Sequence, residues 1–169
     1  MKKLLVISAS NGENLKLAER FATAGTAQGL VTEVLDLTTV PLPLFTPRQK
    51  QKEGFPSILP ELIRQLDSAP QWVICSPEYN GSIPPVLTNA IAWLSVYGED
   101  FRRLFNRRPI AIASHSGGGG YEILMALRIQ LAHLGSHVVG RQLVSNATKP
   151  AKDESIDEIV QDLMQLSLT

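Results

Sequence analysis

Three short segments of this chain carry residue types that can hold and orient a ligand. The first reads Ser8-Ala9-Ser10-Asn11-Gly12-Glu13-Asn14 and leads into helical spacing from Leu15. Hydroxyls, amides and a glycine entering a helix start form an anion cradle, because backbone N–H groups converge there and the helix dipole favours negative charge. The same letters also suit plain capping, with Asn14 on the helix end and Glu13 in its first turn. Glu13 argues against a phosphate here, since a carboxylate beside it would repel. The second segment, Pro77-Glu78-Tyr79-Asn80-Gly81-Ser82-Ile83-Pro84-Pro85, is stiffened by prolines before a helix begins near Pro85. A rigid loop with outward amides and one aromatic suits a planar heteroaromatic ligand. An ordinary strand–turn–helix with Tyr79 resting on the surface is the plainer alternative. The third segment is Ser114-His115-Ser116-Gly117-Gly118-Gly119-Gly120. Its glycines let a ligand approach the backbone closely and expose successive N–H groups, although a flexible linker has the same composition. No Lys-Ser or Lys-Thr follows, so it is not a P-loop, and no G-x-S-x-G hydrolase elbow is present.

Other reactive side chains read as bland. Cys75 sits in an apolar run and is expected to be a core thiol. His115 suits a ligand contact or a capping role equally. His133 and His137 flank a turn without metal-ligand spacing, so no metal site is expected. Arg102, Arg103, Arg107 and Arg108 suggest a solvated basic face, with capture of an NADP phosphate as the minor alternative.

Elements must position these loops, and the apolar pattern supplies them. Strands are expected at Lys3–Ser8, Val31–Leu37, Trp72–Ser76, Ile110–Ser114 and Val138–Val144; most are continuous apolar runs, as for strands covered on both faces of a parallel sheet. Helical spacing lies between them. Leu17, Phe21 and Ala24 share one face, as do Val86, Ala90 and Leu94; Ile123, Leu127, Leu131 and Leu134; and Ile156, Ile159, Val160 and Leu163. A further helix is expected over Ile58–Ala69. The repeating βα order predicts right-handed crossovers, a three-layer α/β fold and a five-stranded parallel sheet of order 2-1-3-4-5. Ligands then bind beyond the carboxyl ends of the strands. The longest irregular stretch, Thr38–Ser57, carries Pro41, Pro43, Pro47 and Pro56. A loop of that length is expected to be functional or to cover an edge.

Composition narrows the partners. The 169 residues fit one domain over 1–169, and Lys+Arg and Asp+Glu are 16 each. That balance offers no global attraction for nucleic acid or a membrane surface. A single cysteine excludes an internal disulfide and fits the cytoplasm. Met1-Lys2-Lys3 before an apolar run hints at a leader, but the run has only about five residues and lacks a small-residue cleavage site. A buried first strand explains it better. No stretch approaches the roughly 18 apolar residues of a membrane span.

The run Pro77-Glu78-Tyr79-Asn80-Gly81-Ser82-Ile83-Pro84, continuing through Leu87, Asn89-Ala90 and Trp93-Leu94-Ser95, closely resembles the signature of the NADPH-dependent FMN reductases of the flavodoxin-like superfamily. Leu42-Pro43-Leu44-Phe45 is similar to that family's loop after the second strand, and Gly117–Gly120 to its third flavin loop. The likeness spans about Lys3 to Val144. It implies a flavodoxin-like fold that binds FMN. Ser8, Ser10 and Asn14 would hold the phosphate; Pro77, Glu78, Tyr79, Asn80 and Gly81 would line the isoalloxazine ring; and Ser116, Gly117 and Gly118 would meet its pyrimidine edge. NAD(P)H would deliver hydride to the flavin, and a quinone, free flavin or other small acceptor would receive the electrons. The family also implies a homodimer or homotetramer, and the helix Pro85–Val96, with Trp93 and Tyr97, is the expected contact face. Members usually carry an arginine two residues after the first serine and a serine before the asparagine. Here Ser10 and Glu13 stand there, which predicts a weak hold on phosphate and low FMN loading. A flavodoxin-type electron carrier and a flavin scaffold of weak affinity are the rival readings. A receiver-type signalling domain is excluded, because Ser8-Ala9-Ser10 and Ser76-Pro77 stand where its carboxylates belong.

Overall fold

A computed structural model describes residues 2–166. In chain order the elements are β1 (Lys3–Ser8), α1 (Glu13–Ala27), β2 (Val31–Asp36), a 3-10 turn (Leu37–Thr39), α2 (Pro47–Glu53), α3 (Leu59–Asp67), β3 (Gln71–Cys75), α4 (Pro85–Ser95), β4 (Pro109–His115), α5 (Tyr121–His133), β5 (His137–Val138), β6 (Leu143–Ser145) and α6 (Asp153–Leu166). All strand pairs are parallel in the order β2-β1-β3-β4-β5, the flavodoxin-like order expected.

Strand alternation divides the apolar residues between two layers. Leu5, Ile7, Trp72, Ile74, Ile110 and Ile112 face α3, α4 and α5. Leu4, Val6, Val73, Cys75, Ala111 and Ala113 face α1 and α6. Leu4 to Val6 are fully buried, so the apolar start of the chain is a central strand of the sheet.

Two expectations need correction. The single strand read over Val138–Val144 is two short strands, β5 and β6, both paired with β4. Between them the Arg128 guanidinium from α5 donates to Val139 O at 2.9 Å and Gly140 O at 3.4 Å, so these carbonyls are held by a side chain and not by a ladder. The stretch Thr38–Ser57 is also not wholly irregular. Thr46 Oγ1 accepts from Gln49 N–H at 2.9 Å, Pro47 takes the first helical position and Gly54 closes α2 at φ +75°. Cap, proline and left-handed glycine are the usual boundary signals of a helix.

Candidate functional site

The register brings the three ligand-type loops to one edge. Ser8 lies opposite Cys75, and Cys75 opposite Ala113, so β1 and β3 end together and β4 runs two residues further to His115. Their outgoing loops meet there, with α1 and α5 starting beside them.

In the first loop, the buried Ser8 hydroxyl donates to Ser10 O at 2.6 Å and accepts weakly from Ser10 N–H at 3.4 Å, which shapes the turn. Ser10 Oγ makes no hydrogen bond among the described residues. Helix α1 begins at Glu13, two residues earlier than expected, with Gly12 as its N-cap and no side chain capping it. Gly12 O accepts from Leu15 and Lys16 N–H, while the N–H groups of Glu13 and Asn14 have no acceptor among the described residues. Asn14 does not cap the helix. It is 2% exposed, and its amide bonds both backbone groups of His115. Glu13 is exposed and pairs with Lys16 at 2.7 Å, a contact that holds its carboxyl below the usual range. Its charge is therefore turned along the helix and partly neutralised.

The second loop is a two-residue hairpin turn. Tyr79 and Ser82 exchange backbone hydrogen bonds at 3.1 and 3.0 Å, with Asn80 at φ 52° and Gly81 at φ 70° between them. Both central residues are left-handed, the geometry for which Asn-Gly is the favoured pair. Tyr79 stands half-exposed at this turn. Glu78 turns away from solvent, and its carboxylate accepts from Ile123 N–H at 3.2 Å in the first turn of α5. The helix after the turn clamps a distant segment. Asn89 accepts from Phe45 N–H at 2.7 Å and donates to Pro43 O at 3.0 Å, and Trp93 Nε1 donates to Pro43 O at 2.7 Å. The Trp93 ring is wholly buried and meets Phe45 edge-on at 5.1 Å. Trp93 is thus an internal pin, which removes it from the expected contact face between subunits. Tyr97 likewise packs edge-on against Phe55 at 5.0 Å.

The third loop is held by hydrogen bonds at Ser116. Ser116 N–H donates to Ser145 O at 3.1 Å, and Ser116 Oγ accepts from Gly118 N–H at 3.3 Å. Only Gly120, at φ +70°, needs glycine for its backbone. A Cβ at Gly117 would meet nothing within 4 Å, and one at Gly118 would meet only Glu78 Oε1 at 3.6 Å. Glycine there leaves open space beside the loop. Tyr121, exposed at the start of α5 next to this run, escaped the sequence reading because nothing local distinguishes it from a surface tyrosine.

Cys75 is fully buried and its thiol is pushed well up by desolvation. His115 Nδ1 lies 3.2 Å from Ser145 Oγ, which ties the ring to β6. Within the basic cluster, Arg108 is committed to the chain itself. Arg108 stacks on Trp72 at 4.3 Å, donates to Ala69 O and Leu104 O, and pairs with Asp67 at 3.4 Å. It immediately precedes β4, at the amino end of the sheet and away from the loops.

These loops fit a flavin mononucleotide. Acceptorless N–H groups at a helix start and a hydroxyl suit its phosphate, and the glycine-lined opening beside the Tyr79 turn suits its flat ring. The family model described as NADPH-dependent FMN reductase matches residues 2–149. The chain belongs to that family. A quinone reductase of Escherichia coli (strain K12) is 30% identical over 166 residues, covering 94% of this chain and 84% of that protein. An NAD(P)H-dependent FMN reductase of Pseudomonas aeruginosa is 29% identical over 174 residues, covering 98% and 91%. The solved NAD(P)H:(acceptor) oxidoreductase of Paracoccus denitrificans shares the fold at a TM-score of 0.75 and 20% identity, covering 98% of each chain. As an FMN reductase family member, the chain is a flavin-dependent oxidoreductase using NAD(P)H. No helix among the described residues is long and apolar enough to cross a membrane.

Proposed function

We propose that this FMN reductase family member acts as one domain over residues 1–169, holding FMN across its three carboxyl-end loops and passing electrons to a quinone or similar small acceptor. The observation that carries the reading is the start of α1, where Glu13 and Asn14 N–H and Ser10 Oγ have no hydrogen-bond partner among the described residues, beside a glycine run with open space. Bound FMN supplies the hydride acceptor and electron store. The protein's own part is orientation. Ser8 shapes the turn that presents Ser10, while Gly117 and Gly118 let the backbone approach the ring's pyrimidine edge. Pro77, Glu78, Tyr79, Asn80 and Gly81 wall the ring with a loop whose hairpin turn holds its path. Ser116 fixes the glycine run from beneath. Fluorescence titration with FMN and FAD, followed by NAD(P)H oxidation with a quinone, tests the reading. Clearly tighter FAD binding overturns it, and bound FMN without turnover marks an electron carrier instead.

Tyr79→Ala is expected to slow NAD(P)H oxidation by about tenfold, equivalent to about 1.4 kcal/mol, with a smaller rise in FMN Kd. Its half-exposed ring is placed to shape the face that receives nicotinamide. Equal turnover of FMN-saturated mutant and wild type would remove it from that face.

The phosphate end offers no arginine, so the wild type is expected to purify with little FMN. FMN's phosphate carries nearly two negative charges. Ser10→Arg with Glu13→Ser adds a planar cationic fork, removes a carboxylate and frees Lys16 from its 2.7 Å pairing. FMN binding should tighten at least about tenfold, which needs only about 1.4 kcal/mol. The gain should shrink with salt because part of it is Coulombic. Titrations at low and high salt decide this; a wild type isolated fully loaded contradicts it.

The protein is further proposed to be cytoplasmic and to assemble as a homodimer or homotetramer, read from the family. The exposed row Tyr121, Met125 and Ile129 on one face of α5 supports an assembled state. Light scattering after gel filtration checks it.

A further inference from the structure

We propose that Asn14 is a positioning residue that locks the phosphate loop to the glycine loop, and that its side chain acts on flavin binding through that lock and not by touching the phosphate. The inference rests on the FMN reading above. Asn14 Oδ1 accepts from His115 N–H at 2.8 Å, and Asn14 Nδ2 donates to His115 O at 2.9 Å, across 101 residues of sequence. An asparagine amide has the same donor and acceptor as a peptide, and here it is used as one.

The reason lies in where β3 stops. Alternate residues of a strand direct their N–H and C=O to the same side. Ala113 O accepts from Ser76 N–H at 3.0 Å, so that side of β4 faces β3. Ser114 O accepts from Ser145 Oγ on the opposite, β6 side. His115 therefore directs both its groups back toward β3, which has ended at Cys75 and turned into the second loop. Left unpaired at a part-buried strand end, the two groups would be unfavourable. The Asn14 amide stands where the next peptide of β3 would be and completes the ladder. One residue further on, Ser116 begins the glycine loop, and one residue before Asn14 lies the anion-binding start of α1. From the other side, Glu78 ties the second loop to Ile123 N–H. The third loop is thus flanked by two side chains from the other loops, Asn14 holding its start at His115 and Glu78 holding the first turn of the helix that follows it.

A phosphate ligand and a lock predict different selectivity. Riboflavin has the flavin ring of FMN without the phosphate. Wild type and Asn14→Ala are titrated with both flavins by fluorescence quenching, and exchange of the His115 amide proton is followed by NMR without flavin. The lock predicts that Asn14→Ala keeps the wild-type circular dichroism, that His115 N–H loses protection, and that both flavins weaken by the same factor, at least about tenfold for two lost hydrogen bonds. Weakening of FMN alone, with riboflavin unchanged, assigns Asn14 to the phosphate and overturns the proposal. Unchanged affinity for both also overturns it. Should Asn14→Ala fail to fold, wild type decides: His115 N–H stays protected when FMN is added if Asn14 is a lock, and becomes exchangeable if Asn14 leaves it for the phosphate. Wild type that binds neither flavin overturns the FMN reading itself, and the lock's role with it, before any variant is compared.

Discussion

Gly118→Val is expected to abolish FMN binding while leaving the protein folded. The backbone tolerates the change, because Gly118 does not occupy the left-handed region and a Cβ there meets only the flexible Glu78 carboxylate at 3.6 Å. The two γ-methyls would project from an exposed loop beside the Glu78 carboxylate. In the proposed flavin site they would take the space that the ring's pyrimidine edge requires. The loss should be at least about a hundredfold in Kd, or about 2.8 kcal/mol. Gly120→Val is the contrasting variant. Its φ is +70° and its Cβ would lie 3.4 to 3.5 Å from Ser114 and Val144, so the fold itself should weaken, by at least about 1–2 kcal/mol for the left-handed backbone. Circular dichroism, urea unfolding and FMN titration separate the two. Retained affinity in folded Gly118→Val would mean that the glycine run serves the turn alone.

Trp93→Ala should be the most destabilising single substitution in the helix that follows the hairpin loop. It removes a wholly buried indole, its 2.7 Å bond to Pro43 O and its edge contact with Phe45. Large-to-small replacement of a buried tryptophan costs about 3–5 kcal/mol. For a chain of this size each kcal/mol shifts the midpoint by about 2–4 °C, so Tm should fall by about 6–20 °C. Trp93→Phe keeps most of the ring packing and loses the hydrogen bond, so it should cost only about 1 kcal/mol. Asn89 still holds Pro43 O and Phe45 N–H in both variants, so the Leu42–Phe45 segment should loosen without detaching. A drop of less than 2 °C for Trp93→Ala would show that the pin contributes little.

What the sequence by itself determined was everything governed by neighbours along the chain. Continuous apolar runs specified β1, β3 and β4 as strands covered on both faces, and the βα alternation specified the strand order, because connections are short and right-handed. The Asn80-Gly81 turn follows from the two residue types that best tolerate positive φ. The Thr46-Pro47 start and Gly54 end of α2 were equally local, and were obscured only by the density of prolines around them. The Glu13–Lys16 pair was local too. Starting α1 at Leu15 left Glu13 in a loop, where its charge counts against a phosphate; starting it at Glu13 places Lys16 one turn away, where it offsets that charge.

Tertiary structure alone decided the rest. Asn14 meets His115 across 101 residues, and nothing near position 14 announces a partner at the end of another strand. Whether its amide caps, binds an anion or extends the sheet depends on where β3 happens to stop. Trp93 has the composition of an interface residue and becomes an internal pin because the loop after β2 folds over it. The break between β5 and β6 depends on Arg128, which reaches carbonyls that local apolar character assigns to a ladder. In each case the deciding partner is a backbone group presented by a distant element. Residue type and spacing show which side chains can make such a bond, and only the packed chain shows which backbone group is there to receive it.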